Sequence, residues 1–461
     1  MNALLGLSRR VEARRFVSAF SSRFSSTLLS FLVLLTASHF LPTQEYGLYV
    51  FLFSIGSALG LIAVLGQQIL VVKHYQRAEA AGHPFNQALI GVNTRWLALG
   101  GFSLLAVALP LLIFAGHLPP TYHYLWLAFV FAAIFALSEY LQNYFRIHGR
   151  INMSLVPREI VWRGASILCI AAAGLAGLLA GGAGAMAIVT GLLAATTFYQ
   201  ATAFVRGEGV GWLTAKDAVP PETRGAWRNE SGYFIANNVL NSASAYLETI
   251  LIGALLGLDK AGFYFVALRI AMLLTLPVAA IDTVGIPMIA ARFQKADTPG
   301  AQQLIGRLSF ASFCISLLGA LALAVVAPFI LHLFNPEFVQ HADVLTALCV
   351  LAVSQAFFGP GSWLLMIGGG ERFFLIARAI LFVLYLGLLY GLALIGGLMG
   401  IAIAGLLFST ASNLAAWHWI KRKWHIDNMA TAFFRPFLFG GVREEKAAPP
   451  TAGRTAEGTT P

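Results

Sequence analysis

The sequence contains very few charged residues. Asp, Glu, Lys and Arg make up 11% of its 461 residues, whereas a soluble globular domain carries about 25%. Hydrophobic residues make up 58%, and the mean hydropathy is +0.76. A water-soluble fold cannot hide this much apolar surface, so lipid must be the solvent for most of the chain. The shortage of charge therefore excludes cytosolic enzymes, secreted disulfide scaffolds and disordered proteins.

Motifs for catalysis and metal binding are also missing. The sequence has no P-loop G-x-x-x-x-G-K-[ST], no H-E-x-x-H and no G-x-S-x-G, and its ten histidines form no ligand cluster. The three cysteines lie inside apolar stretches, which gives no basis for a disulfide framework. We therefore expect no metal, no cofactor and no ATP hydrolysis by a P-loop, and a transporter rather than an enzyme.

Long apolar segments account for most of the chain. A helix needs about 20 apolar residues to cross a membrane. Twelve segments meet this requirement: 16–41, 46–71, 87–114, 121–146, 153–178, 184–206, 231–257, 261–290, 305–334, 342–366, 372–396 and 398–420. The sequence therefore predicts an all-α integral membrane protein with about twelve transmembrane helices.

Basic residues are distributed unevenly among the predicted loops. The six odd-numbered loops together contain a single Lys or Arg, Lys260, whereas the even-numbered loops and both ends of the chain are rich in them. Because Lys and Arg accumulate on the cytoplasmic side of a membrane protein, we expect both termini in the cytoplasm. The same rule accounts for the net charge of +10, so no nucleic-acid partner is expected.

Two short stretches of the chain are repeated. LPTQEYGLYVF, residues 41–51, matches LGLDKAGFYFV, residues 256–266, and IHGRINMSLVPREI, residues 147–160, matches IGGGERFFLIARAI, residues 367–380. Each pair occupies equivalent places in two halves of six helices. Because six is even, the halves share one orientation and are related by a pseudo-twofold axis along the membrane normal. Two such lobes with a site between them are typical of a transporter.

The predicted domain layout follows from these spans and repeats. It comprises a basic cytoplasmic head, an N-terminal lobe, a cytoplasmic linker, a C-terminal lobe and a cytoplasmic tail, over residues 1–15, 16–206, 207–230, 231–420 and 421–461 respectively. Within the tail, TAFFRPFLF (431–439) places four Phe around one Arg, which favours an interfacial segment. The remainder is rich in Pro, Gly, Ala and Thr and is expected to be disordered.

The sequence resembles the polysaccharide-biosynthesis (O-antigen-type) flippase family of the multidrug/oligosaccharidyl-lipid/polysaccharide exporter superfamily. The resemblance covers about residues 15–425, and the segments that carry it are LPTQEYGLYVF, LLGLDKAGFYFVALRIAML, FNPEFVQHADVLTAL, LLMIGGGER and YFRIHGR. It implies that a polyprenyl-diphosphate-linked oligosaccharide crosses the bacterial inner membrane by alternating access, for surface or exopolysaccharide biosynthesis. The implied partners are that glycan, membrane lipids, a polysaccharide polymerase and a chain-length regulator.

Two arginines lie deep within predicted spans. Arg23 is about 10 Å from the cytoplasmic end of the first span, and Arg269 is about 12 Å from the outer end of the eighth, at 1.5 Å per residue. The resemblance places both near the central cavity, where a guanidinium could bind a diphosphate through two hydrogen bonds. The alternatives are a buried ion pair for Arg269 and a side chain that extends to the interface for Arg23. Arg95 and Arg163 are closer to cytoplasmic ends and are expected to extend to the interface.

The seventh span carries a polar stripe. At helical spacing Asn237, Asn241 and Ser244 share one face, which must contact a cavity or another helix. The carboxylates within spans, Glu139, Glu248 and Asp282, are candidate coupling acids, and the sequence does not choose among them.

Two other functions compete with the flippase. A multidrug exporter of the same superfamily would favour an acidic, aromatic cavity, against which the two arginines argue. A membrane glycan polymerase or transferase usually needs large periplasmic loops, whereas the longest predicted here has only about ten residues.

Overall fold

The computed structural model describes residues 25–434, except 81–82, 210–211, 213–218, 296 and 368. In this part of the chain all regular secondary structure is helical. The helices are α1 (Ser25–Phe40), α2 (Thr43–Ala63), α3 (Gln67–Ala80), α4 (His83–Ile113), α5 (Leu125–Ile147), α6 (Ile151–Leu155), α7 (Trp162–Leu175), α8 (Gly181–Glu208), α9 (Pro221–Leu255), α10 (Leu258–Met272), α11 (Thr275–Gln294), α12 (Thr298–Phe334), α13 (Ala342–Phe357), α14 (Gly361–Ile367) and α15 (Glu371–Trp424). A π-helical segment, Val156–Val161, joins α6 to α7. The predicted all-α class is confirmed.

Several helices are long enough to cross a membrane. Among the described residues, seven helical segments meet the requirements of length and composition: Thr43–Ala63, Phe85–Ile113, Pro120–Ile147, Gly181–Glu208, Thr298–Phe334, Pro336–Leu365 and Arg372–Trp424. Two shorter apolar stretches of helix are Ser25–Phe40 and Tyr246–Leu255, and the latter is the end of α9. These segments follow the order of the predicted spans.

Two of the breaks have clear chemical causes. The second predicted span divides into α2 and α3 where Leu65 and Gly66 adopt positive φ values of 50° and 75°. The eighth divides into α10 and α11, and Pro277 lies in the first turn of α11. Within a continuous helix the proline ring would clash with the carbonyl of Leu273, so the helix ends before that residue and begins again after it.

Gly397 separates the last two predicted spans. It lies within α15 with φ 56° and ψ −132°, a backbone conformation outside the helical region. Because only glycine adopts this conformation without steric cost, the chain changes direction here with no loop. The eleventh and twelfth spans thus adjoin directly, as their predicted bounds, 372–396 and 398–420, suggest.

The chain forms two compact units. The first runs to Val266 and also includes Leu333–Glu337; the second contains Ala267–His332 and the chain from Phe338. The boundary between them lies within α10, whereas the sequence placed the boundary between lobes at residues 207–230. A division into compact units does not test a division into transport lobes, so the predicted boundary between the lobes stays a prediction.

In the first unit, α2 packs against α5, α8 and α9. Its contact with α5 depends on two glycines one turn apart: a Cβ at Gly56 would lie 2.6 Å from Phe131 Cδ1, and one at Gly60 would lie 2.9 Å from Phe135 Cδ1. Small residues at this spacing let membrane helices approach closely. The close approach strengthens the dispersion contacts between the helices, which matter in lipid because no hydrophobic effect drives helices together there.

The start of the predicted tail belongs to the core of the second unit. Helix α15 extends to Trp424, and Ile426 joins the apolar cluster of Ile289, Ile305 and Leu364. The Gln302 amide bonds both the N–H and the C=O of Asp427, at 2.7 and 2.8 Å. Residues 426–434 therefore pack as an integral element, while the rest of the predicted tail, from residue 435, lies outside the described residues.

Asn428 connects this element to the break between α13 and α14. Its side chain is completely buried, and its Nδ2 donates a 2.5 Å hydrogen bond to the carbonyl oxygen of Phe358. That carbonyl lies where the helix stops, just before Gly359 with φ 58°. The C-terminal segment thus satisfies a backbone group that the helix leaves without its usual partner.

We expect Asn428→Ala to destabilise the second unit by about 1–3 kcal/mol, because it leaves the Phe358 carbonyl buried and unsatisfied. Thermal unfolding of the detergent-solubilised protein measures the effect as a lower midpoint. Thr431→Ala, at an exposed position of the same segment, is the matched control and should unfold like the wild type. Equal midpoints for Asn428→Ala and the control would contradict the assignment.

Candidate transport site

The sequence-predicted site residues differ in how much the structure shows of them. Arg23 lies outside the described residues. The stripe of Asn237, Asn241 and Ser244 lies on α9, but these three side chains are outside the described part of the structure. Their contact with a cavity stays a prediction, as does the role of Arg23.

Arg269 lies on α10 and is half-buried. Its Nη1 is 3.8 Å from the Met272 sulfur. A thioether is only a weak hydrogen-bond acceptor and carries no charge. Arg269 thus places a guanidinium on a helix of largely apolar composition, and its contact with a substrate stays a prediction.

The three candidate coupling acids have different surroundings. Glu248 is buried on α9 and accepts a 2.7 Å hydrogen bond from the Tyr264 hydroxyl. Asp282 is half-buried on α11 of the second unit. Glu139, on α5, forms a salt bridge with Arg158 in which Arg158 Nη1 lies 2.5 Å from Oε2. Glu139 is thus held in an ion pair with the π-helical segment.

That ion pair is part of a larger polar cluster, which we call the α1–α5–α7 network. It contains Ser26 of α1, Glu139, Gln142 and Asn143 of α5, Arg158 and Glu159 of the π-helical segment, and Arg163 of α7. Gln142 is central: it accepts a hydrogen bond from Arg158 and donates one of 3.1 Å to Glu159 Oε1. Two arginines and two glutamates give the network no net charge.

The other members of the network form hydrogen bonds with α1. Glu159 accepts hydrogen bonds from the Ser26 hydroxyl and from Arg163, and Arg163 also bonds Ser26. The Glu159 and Arg163 side chains are only 16% and 20% exposed. An arginine that extends to the interface would instead place its charge in water, so that expectation for Arg163 is wrong. The carboxylate of Glu159, one turn earlier on the same face, holds the guanidinium within the protein.

Sequence reasoning missed Arg158 and Glu159. Arg158 lies near the start of the fifth predicted span, and its side chain is 8% exposed and lies 4.5 Å from the Phe135 ring centroid. The sequence does contain a signal for them, because one span carries an acid and the next carries a base. Each charge is unfavourable in the membrane by itself, whereas the two are tolerated as an ion pair. The π-helical backbone is a second signal, since such segments often occur at functional sites.

The repeated turns of the sequence meet in the structure. A Cβ at Gly47 would overlap the carbonyl oxygen of Leu258, and a Cβ at Gly262 would lie 3.2 Å from Gly47 Cα. Gly47 and Gly262 are equivalent positions of the two repeats. Close beside them, the Thr43 hydroxyl donates a 2.6 Å hydrogen bond to Glu337 and accepts one of 3.0 Å from Asn335. We call this contact the repeat crossing.

On the predicted cytoplasmic side, Glu230 of α9 contacts two basic side chains of α3. Glu230 lies 3.0 Å from Lys73 Nζ and 2.7 Å from His74 Nε2. Partial burial tends to raise the pKa of the Glu230 carboxyl, but the hydrogen bonds from His74 and Lys73 outweigh it and hold the pKa below its usual range. At the next residue of α9, the buried Ser231 accepts a 3.1 Å hydrogen bond from Gln67.

A family model described as polysaccharide biosynthesis protein matches residues 13–293, which is more than half of the chain. The chain belongs to the polysaccharide biosynthesis protein family. No curated protein matches it significantly.

Solved structures of MATE proteins have the same fold. An inward-facing multidrug resistance MATE family transporter of the MOP superfamily matches with a TM-score of 0.69 at 17% identity, covering 87% of this chain and 94% of that one. An outward-facing MATE transporter matches with 0.54 at 16% identity, covering 90% and 95%. A MATE protein in the bent conformation matches with 0.55 at 16% identity, covering 89% and 95%.

This member of the polysaccharide biosynthesis protein family therefore has the fold of the MATE structures, and its long apolar helices are those of a multi-pass membrane protein. The predicted layout of twelve helices in two lobes agrees with that fold. At 15–17% identity the likeness concerns the fold alone, so the substrate must be argued from the chain itself.

Proposed function

We propose that the protein is a flippase that moves polyprenyl-diphosphate-linked oligosaccharide repeat units across the bacterial inner membrane by alternating access. The observation that carries the proposal is the combination of a polysaccharide biosynthesis family match with a transporter fold. A transporter that serves polysaccharide assembly must handle a glycan or its carrier lipid. The polyprenyl tail is soluble in the membrane, whereas the diphosphate is charged. The diphosphate is therefore the group most costly to move through the membrane.

The positive charges within the membrane support a diphosphate substrate. Arg269 is half-buried on an apolar helix, and Arg23 lies in the first predicted span. Arginine binds phosphate oxygens through a planar fork of donors, and such charge-assisted hydrogen bonds are about twice as strong as neutral ones. We infer that Arg23 serves near the inner mouth and Arg269 near the outer one. Asn237, Asn241 and Ser244 would face the sugar hydroxyls.

The driving force involves one of the buried acids. Asp282 is a better candidate than Glu139, because Glu139 already pairs with Arg158 at 2.5 Å, and Glu248 stays a candidate beside it. Protonation of an acid that faces the cavity would change the charge of the empty carrier and favour its reset. In this proposal both termini lie in the cytoplasm, and a polysaccharide polymerase and a chain-length regulator act on the delivered units.

Deletion of the gene tests the proposal. We expect loss of the cell's surface or exported polysaccharide and accumulation of lipid-linked repeat units on the cytoplasmic leaflet. Extracted lipids, assayed after glycosidase treatment of sealed inverted and right-side-out vesicles, would report the leaflet. The control is the deletion strain with the wild-type gene restored. Normal polysaccharide with increased sensitivity to cationic drugs would instead identify a multidrug exporter, and unextended units already on the outer leaflet would identify a polymerase.

A further inference from the structure

The end of α15, which is cytoplasmic in the predicted orientation, carries a dense group of positive charges. Lys421, Arg422 and Lys423 occupy the last turn of the helix, and all three residues are exposed. Basic residues in a last turn stabilise a helix by compensating the negative end of its dipole, which is equivalent to about half a charge. Three full charges exceed that requirement, so helix stability alone does not account for them.

The start of the same helix packs against this end, because the chain changes direction at Gly397. The Phe373 ring stacks on Trp419, with the ring centroids 6.2 Å apart and 22° between the ring planes. A Cβ at Gly370 would lie only 2.8 Å from Trp419 Cη2, so the packing is close. Arg372 directly precedes Phe373 and is also exposed. It therefore adds a fourth positive charge to the group.

Two tryptophans hold the lysine ammonium groups in defined places. Lys421 Nζ lies 4.4 Å from the Trp417 ring centroid. Lys423 Nζ lies 4.6 Å from the Trp419 ring centroid. The Trp417 indole N–H donates a 2.9 Å hydrogen bond to Asp427 Oδ1, and Trp419 is fixed by the stacking at the start of α15. Both ammonium groups therefore rest on rings whose positions the fold sets.

These ring contacts leave positive charge available to an anion. An aromatic face attracts an ammonium group without neutralising it, and the ammonium has three N–H donors. Within the described part of the chain, neither Lys421 nor Arg422 forms an ion pair. The four basic residues outnumber the two nearby carboxylates, Asp427 and Glu371. The end of α15 therefore has a net positive charge.

Charge, aromatic rings and position together match the headgroup region of a membrane. Trp is enriched at membrane–water interfaces, and the anionic lipids of the cytoplasmic leaflet attract basic residues that cluster beside a membrane helix. We infer that this end of α15 binds the headgroups of anionic phospholipids in the cytoplasmic leaflet. Lysines already held on fixed rings lose less side-chain freedom on binding, which favours a defined site over a diffuse attraction. The site, which we call the α15 basic patch, consists of Arg372, Lys421, Arg422 and Lys423 with Trp417 and Trp419.

Tryptophan quenching by brominated lipids tests this contact. The full-length protein is placed in phosphatidylcholine nanodiscs that contain either phosphatidylglycerol or phosphatidylcholine brominated near the headgroup end of its acyl chains. We expect the brominated phosphatidylglycerol to quench the fluorescence more strongly at the same mole fraction. This extra quenching should disappear when Trp417, Trp419 and Trp424 are replaced by Phe.

Removal of charge from the α15 basic patch should weaken the binding. In Lys421→Gln with Lys423→Gln, half of the extra quenching should require at least about fivefold more phosphatidylglycerol, which is the contribution of one basic residue near an anionic surface. Lys421→Arg with Lys423→Arg keeps both charges and should stay within about twofold of the wild type.

The matched control is Arg146→Gln with Arg206→Gln. These arginines are also exposed and lie in the last turns of α5 and α8, in the first unit. The control removes the same number of charges from the protein, and it should stay within about twofold of the wild type because exposed charges are screened over about 10 Å.

Equal quenching by the two brominated lipids would overturn the inference, as would equal weakening by the control pair and the lysine pair. Displacement of brominated phosphatidylglycerol by a polyprenyl diphosphate at a much lower concentration would also overturn it, because the site would then serve the transport substrate. Otherwise the inference is independent of the proposed function. A deletion strain with normal polysaccharide would refute the flippase and leave the lipid site intact.

Discussion

Gly47→Ala is expected to reduce polysaccharide display by at least about tenfold and to prevent the repeat crossing from forming. A Cβ at this position would overlap the Leu258 carbonyl oxygen, which is backbone and cannot rotate away. Overpacking of this kind typically costs 1–3 kcal/mol, and about 1.4 kcal/mol is a tenfold change in an equilibrium. The start of α2 must therefore move away from the start of α10.

A short bifunctional maleimide measures this separation. Thr43 and Glu337 form a 2.6 Å hydrogen bond beside the crossing, so cysteines at these two positions should be joined by the reagent in a background lacking the native cysteines. We expect the yield to fall severalfold when Gly47→Ala is added. Gly101→Ala is the matched control, since it is also a helical glycine but a Cβ there would meet nothing within 4 Å. Equal crosslinking and display in the two variants would show that the crossing does not matter.

Arg269→Ala is expected to lower polysaccharide display by about 10- to 100-fold, while the protein still inserts into the membrane. The range corresponds to about 1.4–2.8 kcal/mol, which is the usual contribution of a hydrogen bond to a charged group. Arg269→Lys should restore activity only in part, because an ammonium is a point charge and cannot bind a diphosphate through a planar fork.

The control for Arg269 is Arg292→Ala. Arg292 is also an arginine of the second unit, but its side chain is 44% exposed and pairs with Asp297. Its removal should leave display within about twofold of the wild type, as is usual for an exposed ion pair. Display from the Arg269→Ala strain equal to that of the control would exclude a diphosphate role for Arg269.

The comparison of sequence and structure is clearest at the breaks between helices. Hydropathy alone located the spans, because about 20 apolar residues in a row have few other uses. It did not show that the second span consists of two helices, and the breaks in the eighth and tenth spans are indicated by Pro277 and by Gly359–Gly361, not by hydropathy. Those breaks depend on single residues such as Gly66, whose φ is 75°, and Gly359, whose φ is 58°. A sliding average over composition cannot detect them.

The repeats illustrate a different limit. The sequence shows that residues 41–51 and 256–266 are copies, and that Gly47 corresponds to Gly262. It does not show that the copies touch, because equivalence by symmetry says nothing about distance. The structure brings the two glycines into direct contact, and this turns a weak sequence match into a place where one methyl group should matter.

The sequence by itself determined the class of this protein: its apolar runs require a membrane, and its basic loops predict an orientation. Both properties are local or additive along the chain. The tertiary structure decided the partners of the charges. Glu139 and Arg163 were assigned separate roles from their depth in the spans, but both belong to one network that extends from Ser26 to Glu159, 133 residues apart. Such a pairing depends on which helices pack together and on how each is rotated, and neither quantity can be read from the composition of a single span.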